Sequence, residues 1–152
     1  MVARARKLYS SRRMTNDETS DVDYAALAAF RLALRRFAAF SEAEAKVAGL
    51  TPRQHQALLA IKGRRKPAGS ADGLGIGEIA AHLLIRHNTA VELVDRLAEA
   101  GLVQRQADPA DGRRILVTLT DRSEALLRRL SAAHVRELRA IRPNLLALLQ
   151  TL

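Results

Sequence analysis

Apolar residues recur along most of this chain with helical spacing, and along one short stretch with the alternation of a strand. Leu27, Phe30, Leu34 and Phe37 fall three and four apart and predict a helix from about Val22 to Lys46 with a buried face, capped by Ser20 and ended by Gly49. Leu32 and Phe40 lie off that stripe, and a helix apolar on more than one side wants more than one neighbour. "TPRQ" opens the next helix: Thr51 as cap, Pro52 at the first helical position, Gln54 completing a capping box. Its apolar face is Ala57, Leu58 and Ile61, and it ends near Gly63. A short helix follows in "IGEIAAHL", with Gly75 as cap and Glu78 three residues on. After a turn at Leu83 to Ile85, Ala90, Leu93, Val94 and Leu97 mark one face of a longer helix from about Arg86 to Ala100, closed by Gly101. From Asp121, helical spacing resumes through Leu127, Leu130, His134, Leu138 and Ile141. Pro143 predicts a break or kink before a last short helix, "NLLALLQTL".

The strand-like part comes between the last two long helices. Leu102 to Gln106 reads as one strand, and the second half of "ADPADGRRILVTLT" (Ala107–Thr120) reads as another. Asp108-Pro109 and Asp111-Gly112 supply the turn chemistry between them. The loop "KGRRKPAGSADGLG" (Lys62–Gly75) ends in a token strand at Leu74. The fold class is therefore mainly α with a small β-hairpin. A short helix, a tight turn, a longer helix and a hairpin follow the order of a winged helix-turn-helix.

In that arrangement the longer helix turns its outer face to a DNA major groove, and the hairpin reaches the backbone or minor groove. The candidate reading residues are Arg86, His87, Asn88, Thr89, Glu92 and Arg96. Arginine pairs with guanine and asparagine with adenine, each worth about 1–3 kcal/mol of discrimination. On the hairpin, Arg113 and Arg114 supply cations where phosphates pass. The plainer reading, a solvated helix face, loses ground because a hairpin follows at the right place.

Composition narrows the picture further. The chain has 152 residues and no cysteine, which excludes disulfides, thiolate zinc and thiol redox sensing. No apolar run approaches the roughly 20 residues of a membrane span and no signal peptide is visible, so the cytoplasm is the default. The net charge is +9, but five of the positive charges sit in residues 1–13, so charge alone does not establish DNA binding. Residues 1–20 read as a basic, disordered arm; alternatively the natural start is Met14. The run Lys62, Arg64, Arg65, Lys66 reads mainly as solvated charge. His55, His82, His87 and His134 lack metal-ligand spacing, and "GLGIG" (Gly73–Gly77) lacks the context and lysine of a phosphate loop. No activated nucleophile is visible, so neither an enzyme nor a cofactor is expected. The aromatics fall outside the reading elements, which leaves no base-stacking platform for RNA.

Residues 51–120 resemble the MarR (multiple antibiotic resistance regulator) family of bacterial transcription factors. The resemblance rests on "LTPRQ", on "VDRLAEAGLV", and on the hairpin pattern Asp-x-Arg, five residues, Leu-Thr, met by Asp111, Arg113, Leu119 and Thr120. It implies a winged DNA-binding domain over 51–120, flanked by dimerisation helices at 21–50 and 121–152. It also implies a homodimeric repressor or activator on a pseudo-palindromic duplex site, with Asp111 holding Arg113. A small aromatic or phenolic effector would bind between the dimer helices and the winged part, where Phe30, Phe37 and His55 are the candidate lining; Phe40 is a further neighbour. Core packing is the plainer role for the phenylalanines. Two departures stand out: Arg86 occupies the place of a small polar cap, and the 62–75 loop is long. The main alternative is a winged-helix module for protein–protein assembly.

Overall fold

The computed structural model describes residues 23–64 and 71–151. The basic arm, the Ser20 cap, Arg65 and Lys66 lie outside them. In chain order the elements are α1 (Tyr24–Val47), α2 (Pro52–Gly63), β1 (Leu74–Gly75), α3 (Ile76–Leu83), α4 (His87–Glu99), β2 (Val103–Ala107), β3 (Ile115–Leu119) and α5 (Asp121–Gln150). The described residues divide into two compact units, 23–34 with 141–151, and 35–64 with 71–140.

The larger unit is a winged helix. Its three strands form an antiparallel sheet in the order β1-β3-β2, with Val103 opposite Leu119 and Ala107 opposite Ile115. Leu74 pairs with Val117, so the token strand is real. Gly73 makes that pairing possible: its φ is +107°, and a Cβ there would stand 2.6 Å from the Val117 carbonyl oxygen. Leu58, Ile79, Val94, Leu97, Leu116 and Val117 are fully buried between the sheet and α2–α4. Each such side chain contributes about 1.5–3 kcal/mol by leaving water.

Local chemistry sets the ends of the helices. Thr51 Oγ1 accepts from the Gln54 N–H at 3.2 Å while Gln54 Oε1 accepts from the Thr51 N–H at 2.9 Å, the capping box expected. Helices α1 and α4 both stop by a left-handed glycine. Gly49 (φ +76°) and Gly101 (φ +66°) let Leu50 and Leu102 donate back to Ala45 and Leu97, and so turn those leucines into the core. Helix α3 ends the same way without a glycine. Leu84 takes φ +55°, at a cost of about 1 kcal/mol, and its side chain stays exposed.

In the smaller unit three expectations are corrected. The cap of α1 is Asp23, whose Oδ1 accepts from the Ala26 N–H at 2.9 Å. Leu27 and Leu34 are 39% and 49% exposed, so their stripe is not a buried face. Helix α5 runs unbroken through Pro143 to Gln150. The proline forfeits one bond to the Arg139 carbonyl, but both residues are solvent-exposed, so water can satisfy the orphaned carbonyl.

Candidate nucleic-acid interface

Helix α4 buries Ala90, Leu93, Val94 and Leu97 and leaves the opposite face to solvent. Of the expected reading residues, Arg86, His87, Asn88, Glu92 and Arg96 are exposed and Thr89 is half-buried. The helix begins at His87, with Arg86 in the cap position making no side-chain bond. No acid stands in the first turn, and the first helical N–H to find a backbone partner is that of Ala90. The positive end of the helix dipole thus faces solvent uncompensated beside Arg86, His87 and Asn88. Arg96 folds back on its own helix: its Nε donates to the Glu92 carbonyl at 3.3 Å and its Nη2 lies 3.5 Å from Glu92 Oε2.

The hairpin tip is shaped by its aspartates. Asp108 Oδ1 accepts from the Ala110 N–H at 3.0 Å and Asp111 Oδ1 from the Arg113 N–H at 3.1 Å. Asp111 therefore fixes the backbone of Arg113, whereas the resemblance implied a grip on the arginine itself. Among the described residues the Arg113 guanidinium has no ion pair, and it is exposed. Arg114 was expected to act beside it. It is instead turned onto Glu78 of α3, and Arg105 of β2 is turned onto Asp95 of α4. Neither pairing was read from the sequence, because the partners lie 36 and 10 residues apart with no local signature. Of the basic run at the start of the long loop, Lys62 and Arg64 are likewise engaged: Lys62 Nζ lies 2.6 Å from Glu124 Oε1 and Arg64 bonds the Gly73 carbonyl.

A family model described as MarR family matches residues 48–114. A structure described as a probable transcriptional regulator from Pseudomonas aeruginosa is 34% identical, with 74% of this chain and 80% of that chain covered and a TM-score of 0.51. This chain belongs to the MarR family. Two more distant structures share the MarR fold. CouR from Rhodococcus jostii, bound to p-coumaroyl-CoA, is 24% identical over 76% of each chain with a TM-score of 0.63. A mutant of Staphylococcus aureus MepR bound to an oligodeoxyribonucleotide is 21% identical, over 79% of this chain and 82% of that one, with a TM-score of 0.61. No curated protein matches the sequence.

Apart from α4 and the hairpin, this MarR-family chain holds a polar node in the larger unit. His134 of α5 lies with its ring centroid 4.8 Å from that of His55, and the rings of Phe37 and Phe40 meet it edge-on at 6.0 and 5.5 Å. Its Nδ1 stands 2.6 Å from the Leu130 carbonyl, which can only accept, so Nδ1 carries the proton. In the neutral ring Nε2 then accepts from the Ser41 hydroxyl at 2.8 Å. Burial, and next the charge His134 can carry, lower the pKa of His55. Of the expected pocket residues, Phe37 and His55 meet here; Phe30 belongs to the other unit. Sequence spacing had placed His134 merely on an apolar stripe. Nearby, an open groove of about 600 Å³ runs between α2 and α5, floored by Leu59, Leu127 and Val135 and edged by Arg128, Arg136 and Arg139. No described helix is long and apolar enough to cross a membrane.

Proposed function

We propose that this protein is a sequence-specific transcriptional regulator that binds double-stranded DNA as a homodimer. The observation that carries the reading is an uncommitted arginine, Arg113, at the tip of the wing, together with an uncapped, exposed start of α4 in the same winged unit. The exposed face from Arg86 to Arg96 would lie in the major groove while Arg113 meets the backbone or minor groove. The DNA-bound MepR structure supports this use of the fold. Self-association is supported by apolar side chains left in solvent: Leu27 and Leu34 on α1, Leu146 and Leu149 near the end of α5. Paired subunits would then read a site with two-fold symmetry.

A small aromatic or phenolic effector is part of the proposal. CouR in its p-coumaroyl-CoA complex supports a small-molecule input, and in this chain Phe37 and His55, with Phe40 and His134, offer rings and imidazoles to such a ligand. Binding there would alter the distance between the two reading helices and with it the affinity for DNA.

Titrating a labelled duplex from the region upstream of the gene at several salt concentrations tests the DNA reading. The wild type should bind, and Arg113→Ala should weaken binding on every sequence and reduce the slope of log affinity against log salt by about 0.9. A wild type that retards no DNA at low salt would point instead to a protein-assembly module.

A further inference from the structure

The wing carries three arginines on or beside its strands, and two of them are already spoken for. Arg114 Nη2 donates to Glu78 Oε2. The same Glu78 oxygen accepts from the Gly75 N–H at 2.8 Å, and its Oε1 stands 3.9 Å from Arg64 Nη2. Arg64, in turn, donates to the Gly73 carbonyl. The Arg114 side chain lies across Gly75, where a Cβ would come within 3.4 Å of its Nε. One carboxylate thus joins α3, β1, the residue following α2 and the start of β3. On the other strand, Arg105 (opposite Val117 in the sheet) is held by Asp95, which projects from α4. Each strand of the wing has its own tie to the helix-turn-helix.

We propose that Glu78 and Asp95 set the aim of the wing by clamping Arg114 and Arg105, so that these arginines are positioning residues and Arg113 alone of the wing arginines acts on DNA. The proposal rests on the DNA-binding reading above. Its physical basis is charge balance. A phosphate gains from a guanidinium by releasing condensed counterions, and an arginine already neutralised by a carboxylate releases none on balance. To reach a phosphate, Arg114 would also have to leave Glu78 beside Arg64 and the Gly75 N–H without its main partner. Burial raises the Glu78 pKa, but the Gly75 bond and the two arginines outweigh it and hold the carboxyl below the usual range, so the clamp is charged at neutral pH. Arg113 is in the opposite situation: Asp111 fixes its backbone and leaves its side chain free.

The test is a salt series on a labelled duplex of mixed sequence with the full chain. Arg113→Ala should lower the salt slope by about 0.9. Arg114→Gln and Arg105→Gln should keep the wild-type slope while weakening binding about two- to fivefold, the scale of a partly exposed ion pair. The exchange Asp95→Arg with Arg105→Glu should recover what Arg105→Glu alone loses. A slope that falls for Arg114→Gln or Arg105→Gln as it does for Arg113→Ala, or an exchange no better than its single variant, overturns the proposal. Hydrogen exchange in the free protein keeps this separate from DNA binding. Glu78→Gln retains an acceptor for Gly75 but loses the charge, and should speed exchange along the Gln106–Leu116 and Ala107–Ile115 pairing about two- to fivefold. Unchanged exchange there overturns the clamp even in a protein that binds no DNA; faster exchange in such a protein leaves the clamp standing and removes only the DNA reading.

Discussion

Replacing Thr120 by valine removes one oxygen from the place where the wing, α4 and α5 meet. Thr120 Oγ1 donates to the Gly101 carbonyl at 2.9 Å, at the end of α4, and accepts from the Ser123 N–H at 3.3 Å, inside the first turn of α5. Ser123 is fully buried and returns the favour, its Oγ accepting from the Thr120 N–H at 3.1 Å. Valine keeps the shape and abolishes these two bonds together with the hydroxyl's 3.5 Å contact with Ser123 Oγ. Loss of a helix cap costs about 1 kcal/mol, and loss of a partly exposed hydrogen bond a further 0.5–1 kcal/mol or so. The sum, about 1.5–2 kcal/mol, corresponds to a fall in melting temperature of roughly 3–8 °C for a chain of this size. Thermal and urea unfolding of the wild type, Thr120→Val and Thr120→Ser supply the comparison. Serine keeps the hydroxyl and should stay within about 0.5 kcal/mol of wild type. A valine variant as stable as the wild type would refute the bracket, and with it the reason offered for threonine at the end of the wing pattern.

At Gly73 the backbone is in a region that side chains rarely adopt, and the obstructing atom is the Val117 carbonyl oxygen, which cannot move without breaking the β1–β3 pair. Gly73→Ala should therefore destabilise by about 2–4 kcal/mol, read as a shift in urea midpoint at unchanged slope; a change below about 1 kcal/mol would show that β1 is not pressed onto the sheet. His55 makes stability depend on pH. Burial, then the neighbouring His134, lower its pKa, so the folded chain resists the proton that the unfolded chain accepts near pH 6.5. Its contribution is complete above that value and is lost as pH falls from there toward the folded pKa. His55→Gln should flatten this part of the melting-temperature profile, and parallel profiles would count against the assignment.

What the sequence made legible was whatever depends on neighbours in the chain. Thr51 and Gln54 announce their capping box because both partners lie within one turn, and Gly49 and Gly101 mark helix ends because left-handed backbone favours glycine. The buried face of α4 followed from spacing alone, since Ala90, Leu93, Val94 and Leu97 face a core on one side only. Spacing failed for Leu27 and Leu34, because periodicity reports an apolar stripe but not whether this same chain covers it. Pro143 misled for a related reason: a missing donor is tolerable where the orphaned carbonyl is exposed. Long-range charge pairing was the real blind spot. Arg114 sits beside Arg113 in sequence and looks equivalent to it, yet only the fold brings Glu78 to its guanidinium. His134 was similarly hidden, being one more position on a helical stripe until Ser41 and His55 surround it.

Enrichment of bound fragments from a pool of random duplexes by the purified protein bears most directly on two subunits reading DNA through α4 and the wing. The expected result is an enriched motif with two inverted half-sites whose centres lie about one helical turn, roughly 10 base pairs, apart. A pool that emerges without any enriched sequence, from a protein that retains its fold, would contradict it.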